Sequence, residues 1–154
     1  RDGARLARLE PAGRFELDVE IEFPDAAIGR QRVALALGPG RFRAELADCR
    51  TFCRAAEVEA MRAAGLALGG GLENAVVVEG ARVLNPGGLR RPDEFVRHKA
   101  LDAVGDLALA GAPILGRYVG LRPGHEMTNR LLRALFARPD AWRSEVVEEA
   151  AAAA

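Results

Sequence analysis

Residues 15–23, FELDVEIEF, alternate without a break. Phe15, Leu17, Val19, Ile21 and Phe23 are apolar, and Glu16, Asp18, Glu20 and Glu22 are acidic. Successive side chains of a strand point to opposite faces. This period of two therefore predicts a β-strand with one face in a core and one acidic face in water. QRVALAL at 31–37 follows a PDAAIG turn and predicts its antiparallel partner.

The rest of the chain reads as strands mixed with helices. Pro39 and Gly40 open a short helix near 40–48. AEVEAMRAA predicts a helix over 56–64, ended by Gly65. After the glycines at 69–71, AVVV predicts a strand over 75–78. Glu79-Gly80 predicts a hairpin turn, and ARVLN the returning strand at 81–85. Pro86, Gly87 and Gly88 break the chain. The longest helix is predicted over 92–110, with Pro92 near its start and Gly111 at its end. A strand over 113–119, a turn at Pro123-Gly124 and a helix over about 126–137 follow. No repeat of twenty or more residues is present. This order predicts an α+β, two-layer sandwich in which a mixed, mostly antiparallel sheet packs against helices. The domain is expected over 1–144, with a disordered tail at 145–154.

Bulk properties exclude several classes. The chain has 154 residues, 49% of them hydrophobic, which suits one domain with its own core. Basic and acidic residues balance at 22 each, so no nucleic acid or anionic membrane is expected as a general partner. Cys49 and Cys53 lie four apart. They form neither a disulfide framework nor a Cys-x-x-Cys pair, and are expected to be reduced. No apolar run approaches the ~20 residues of a membrane span, and no signal peptide is apparent, so a cytoplasmic location is expected. The first residue is Arg1 and not Met, and residues upstream of it are expected.

The segment EFVRHKALDAVGDLALA, 94–110, carries the chemistry. His98, Asp102 and Asp106 are spaced i, i+4, i+8, which stacks them on one stripe of a helix. Phe95, Val96, Leu101, Val104 and Leu107 surround that stripe. Imidazole nitrogen and carboxylate oxygen are natural zinc ligands, and a third group one turn on could orient a neighbouring His. Spacing alone leaves an ordinary charged helix stripe as an open alternative. Lys99 is the only lysine; every other basic residue is Arg. Beside a candidate ligand, that choice suggests a need for a compact ammonium, although one residue is also compatible with chance.

His125, in LRPGHEMTNRLL, falls at a predicted helix N-terminus. That position disfavours an imidazolium unless a carboxylate compensates, and Asp106 could do so, leaving His125 as a general acid. A solvent-exposed or capping His is the alternative. A catalytic zinc site ordinarily uses three protein ligands and an open position, and this chain offers one His and one carboxylate.

Four segments together carry a resemblance: RTF at 50–52, GLALGGGLENAVVV at 65–78, VLNPGGLRRPDEFVRHKALDAVGDL at 83–107, and GH at 124–125 with Asn129 close behind. In this order they resemble the bacterial UDP-3-O-acyl-N-acetylglucosamine deacetylases, from about Phe15 to about Trp142. The match covers the second of that family's two similar α+β domains. The resemblance implies zinc-dependent hydrolysis of the sugar N-acetyl group, the committed deacetylation of lipid A biosynthesis in Gram-negative bacteria. It implies His98 and Asp102 as zinc ligands, with His125 as general acid or electrostatic partner oriented by Asp106. Thr51 would bond the developing oxyanion. Lys99 and Phe52 would line the sugar and nucleotide side, with Arg122 near the diphosphate. Val58, Ala67, Leu72, Ala75 and Val77 would line the acyl passage. A third His ligand and a Glu base would come from an N-terminal domain absent from this chain, which alone would hold an incomplete, inactive site.

This chain departs from the family pattern at Cys53, Arg54, Gly71, Glu73 and Glu126, which bears on acyl-chain preference. A non-catalytic module that keeps the fold and binds a nucleotide sugar or a partner protein is the competing reading. The face that would meet the other domain is expected to expose apolar surface and to promote weak self-association.

Overall fold

In the computed structural model, residues 1–38 and 40–146 are described. Among these residues, seven strands form two sheets, and four α-helices accompany them.

The alternating segment is strand β2, Phe15–Glu22. Its Leu17, Val19 and Ile21 are buried. It pairs antiparallel with β3, Arg30–Ala36, in a register that sets Val19 against Val33 and Leu17 against Leu35. On its other side runs β7, Gly116–Leu121, parallel to it. β1, Leu6–Glu10, completes the sheet antiparallel to β7, giving the order β1-β7-β2-β3. The second sheet is smaller. β4, Thr51–Arg54, runs parallel to β5, Ala75–Glu79, through the crossover helix α2, Ala55–Ala63. β6, Arg82–Val83, closes an antiparallel hairpin on β5. The short α1, Arg41–Glu45, precedes β4.

Helices α3, Glu94–Leu107, and α4, His125–Phe136, cover the inner face of the large sheet. α3 buries Phe95, Val96, Ala100, Ala103 and Leu107, and the two alanines let the helix lie close to β2 and β3. α4 buries Met127, Thr128 and Leu132. Val76 and Val78 of β5 belong to the same core, so the small sheet is built onto it. The outer face of the large sheet stays polar. Asp18, nearly buried there, is bonded by both arms of Arg32 at 2.8 Å and also by Arg117. The Arg32 hydrogen bonds, with Arg117 assisting, hold its carboxyl below the usual range against the opposing effect of burial.

Two buried polar side chains lock the small sheet in place. Glu94, fully buried, accepts from Arg50 N at 3.0 Å, Arg50 Nε at 2.9 Å, Arg50 Nη2 at 3.1 Å and Arg90 N at 2.7 Å. Arg50 Nη2 also donates to the Gly88 carbonyl at 2.8 Å. Burial pushes the Glu94 carboxyl up, but these bonds outweigh it and hold it below the usual range. Asn85 accepts from Val77 N at 2.9 Å and donates to the Leu72 and Ala75 carbonyls at 2.7 and 2.8 Å.

The α+β class, with a sheet packed against helices, agrees with the sequence expectation. The details differ in five ways. The strands form two sheets and not one. β1 and β4 were not anticipated. The predicted strand at 81–85 shrinks to two residues, because the Asn85 side chain takes over the bond to Val77 N. The helix predicted over 92–110 begins at Glu94, and its final turn, Ala108–Ala110, tightens to a 3₁₀ helix before Gly111 at φ 79°. The strand predicted at 113–119 lies at 116–121. Gly65, at φ 72°, ends α2 as expected, its N–H reaching the Arg62 carbonyl and the next N–H that of Met61. Pro39 and most of the tail expected to be disordered lie outside the described residues.

Gly120 is required sterically. A Cβ there would meet the Tyr118 ring at 2.8 Å and Pro123 at 3.0 Å.

Replacing Glu94 by Ala strands the Arg50 guanidinium and should cost about 3–5 kcal/mol in urea unfolding. Because the folded-state pKa of Glu94 is depressed, its contribution is present above the ordinary carboxylate value of about 4.3 and is lost as pH falls through the folded value. The wild-type acid unfolding curve should therefore be steeper than that of the Ala variant. Asn85→Ala should cost about 1–3 kcal/mol by leaving buried backbone groups unpaired.

Candidate functional site

α3 brings the stripe to one place. Asp102 is its centre. His98 Nε2 lies 3.1 Å from Asp102 Oδ1, and Lys99 Nζ lies 2.7 Å from Oδ2. His125 begins α4, with Gly124 as its N-cap, and its Nε2 lies 4.0 Å from Asp102 Oδ2. His125 Nδ1 is held by Asp106, 2.9 and 3.1 Å from the two carboxylate oxygens. His98, Asp102, Asp106, Lys99 and His125 thus form one cluster at the junction of α3 and α4. Beneath it, Tyr118 Oη and Thr128 Oγ1 share a buried hydrogen bond of 3.0 Å.

Electrostatics focus on Asp102. Burial pushes its carboxyl up, but hydrogen-bond contacts with the His98 ring and the Lys99 ammonium, with the charge of the ammonium, outweigh this and lower it to about 2. The carboxylate is therefore ionised at any ordinary pH.

His98 has an acceptor at each ring nitrogen. Nδ1 lies 3.2 Å from the Cys49 carbonyl and Nε2 lies 3.1 Å from the Asp102 carboxylate; both partners only accept, so the single proton of a neutral ring serves one of them. With the proton on Nδ1, a neutral His98 presents a bare Nε2 beside an anionic oxygen. At 3.1 Å the two atoms need a proton or a metal ion between them. Zinc takes such nitrogen and oxygen ligands at about 2.0–2.2 Å, which sets two tetrahedral ligands roughly 3.3 Å apart. The donor pair fits that requirement. Among the described residues, no group of three or more His, Cys, Asp or Glu side chains is arranged to hold a metal ion.

Phe52 walls the cluster. Its ring packs edge-on against His98, with centroids 6.2 Å apart, and against Phe95 and Phe23. The Lys99 ammonium lies 5.3 Å from its centroid. Thr51 is exposed at the start of β4. The β4–β5 register pairs Thr51 with Ala75 and Cys53 with Val77, so these four share one face, opposite Phe52 and the buried Val76 and Val78. Val58 lies half-buried on α2, Ala67 is exposed at φ 54°, and Leu72 is 43% exposed. Arg122 makes no hydrogen bond or ion pair with the cluster. Its backbone, at φ 44°, turns the chain toward Pro123, and its guanidinium pairs with Glu22.

The residues that the stripe did not reveal are Glu94, Arg50 and Asn85, together with the Cys49 carbonyl. A Glu directly ahead of Phe95 and Val96 on a core-facing helix was the available signal for the first. Among the described residues, no helix is long and apolar enough to cross a membrane.

Fold and site together define an α+β domain with a His-carboxylate cluster on one helix and a second His at the next helix start. The chain belongs to the LpxC family, UDP-3-O-acyl N-acetylglycosamine deacetylase, whose family model matches residues 1–137. It is 59% identical over 148 residues to a UDP-3-O-acyl-N-acetylglucosamine deacetylase of Phenylobacterium zucineum (strain HLK1), covering 96% of this chain and 50% of that protein. Proteins with the same name from Anaeromyxobacter sp. (strain Fw109-5) and Anaeromyxobacter dehalogenans (strain 2CP-C) are 47% and 49% identical over 143 residues. Each match covers 93% of this chain and 47% and 46% of those proteins, respectively. The chain spans about half the length of the curated relatives it matches.

Carboxyl-detected NMR should find Asp102 titrating near pH 2. Lys99→Met should raise that value, and an unchanged value would remove the Lys99 ammonium as a cause.

Proposed function

We propose that this chain is the C-terminal half of a cytoplasmic, zinc-dependent deacetylase that hydrolyses the N-acetyl group of UDP-3-O-acyl-N-acetylglucosamine in lipid A synthesis. The observation that carries this reading is the His98–Asp102 pair, with Nε2 3.1 Å from an ionised Asp102 and His125 held by Asp106 beside it. Family membership and the names of the relatives support the substrate and the reaction.

In this reading, residues 1–144 form the second domain, and an upstream domain supplies the remaining ligand and the general base. His98 and Asp102 would hold the zinc, whose bound form supplies Lewis acidity at the acetamide carbonyl and a water of lowered pKa. Lys99 offsets part of the carboxylate charge and, with Phe52, borders the sugar. Thr51, exposed at the β4 start, is free to donate to the oxyanion. Asp106 fixes the His125 ring so that Nε2 can give its proton to the departing sugar amine. Ala75 and Val77, on the same face as Thr51, would lead the acyl chain away past Leu72, Ala67 and Val58. Arg122 would have to release Glu22 to reach a diphosphate.

The test uses the full-length parent protein. Wild type should hold about one zinc per chain and release acetate from the substrate, and His98→Ala should lose most of both. A parent that binds no zinc and releases no acetate would leave a binding module with this fold. His125→Ala should retain zinc while losing about 10²–10⁴-fold in kcat, as removal of a general acid does.

A further inference from the structure

The peptide unit joining Cys49 to Arg50 lies along α3 between two side chains one turn apart. Its N–H donates to Glu94 Oε1 at 3.0 Å, and its C=O accepts from His98 Nδ1 at 3.2 Å. A trans peptide points these two groups in opposite directions, so one planar unit can bridge positions i and i+4 of a helix. The carboxylate is fully buried, and the His98 side chain is 13% exposed. Bonds from the Arg50 side chain and Arg90 N hold Glu94 so that it cannot turn away from the peptide.

A carboxylate bonded to a peptide N–H shifts electron density toward the carbonyl oxygen. Hydrogen bonds linked in this way polarise one another, more strongly where the local dielectric is low. We propose that Glu94 is a positioning residue for His98, acting through the Cys49–Arg50 peptide. It makes the Cys49 carbonyl the preferred acceptor for the imidazole proton, which leaves Nε2 bare and aimed at Asp102.

The proton is contested. Asp102 Oδ1 stands 3.1 Å from Nε2, and a charged acceptor ordinarily wins against a neutral carbonyl. Two features tilt the contest back toward Nδ1. Glu94 strengthens the carbonyl, and the Lys99 ammonium at 2.7 Å weakens Asp102 as an acceptor. A proton on Nε2 would block that nitrogen as a ligand. The purpose of the arrangement rests on the zinc reading above, but its geometry does not.

The test uses the metal-free 154-residue chain labelled with ¹⁵N in its histidine rings, where His98 and His125 are the only two imidazoles. At about pH 9, above the ordinary imidazole range, the ring nitrogens report the neutral tautomer. His98 should carry its proton on Nδ1. In folded Glu94→Gln, which keeps the shape and loses the charge, the Nε2–H form should become the major one. Zinc affinity of the full-length parent should fall about 10–100-fold in the same variant. A purely structural role would lower stability without moving the ring proton. Wild-type His98 protonated on Nε2, or an unchanged tautomer in folded Glu94→Gln, overturns the proposal. Should the variant not fold, the wild-type chain decides: scalar coupling from His98 Nδ1 to the Cys49 carbonyl carbon supports it, and absence of that coupling overturns it. A parent without zinc or deacetylase activity would remove the proposed function and leave the tautomer result standing.

Discussion

The Arg50–Glu94 ion pair is the contact on which the placement of the site depends. Removing two charges from water is costly, and an isolated buried pair is weak support for a fold. Here the cost is offset because every Glu94 oxygen is used, by Arg50 through backbone and side chain and by the Arg90 backbone. The bonds join the entry to β4 to the turn at Gly88 and the first turn of α3, 38 and 44 residues further along the chain. The small sheet is thereby held at one angle to the helix that carries His98 and Asp102. Phe52 then packs against both Phe95 and His98 without further adjustment.

The parts of the fold visible in sequence are those fixed by local periodicity. FELDVEIEF could be read as a strand because both faces of β2 are written in it. The stripe of His98, Asp102 and Asp106 was legible because helical spacing alone brings these groups together. β1 was not visible: LARLE lacks clean alternation, and its partner β7 lies more than a hundred residues away. β4 is four residues long and includes Cys53 and Arg54, so it shows no pattern, and its existence depends on pairing with β5.

The same distinction applies within the site. His125 was a candidate from sequence, but its meeting with Asp106 requires α3 and α4 to cross at the right place. The Cys49 carbonyl was invisible, because a peptide group has no letter of its own. The roles of Thr51, Arg122 and the acyl-passage residues came from resemblance and not from spacing. The structure brings Thr51, Ala75 and Val77 to a common face and leaves Arg122 engaged with Glu22.

Lys99 has a practical consequence. It is the sole lysine of the chain, and its ammonium is held between Asp102 and the face of Phe52. Apart from the terminal amine, amine-directed chemistry therefore has a single address, and that address is inside the cluster. A reagent that acylates lysine would neutralise one charge at the candidate site while leaving the arginine-rich surface untouched. Tagging, crosslinking or mass-shift footprinting at that one nitrogen would report on the cluster, with the terminal amine as its only background in this chain.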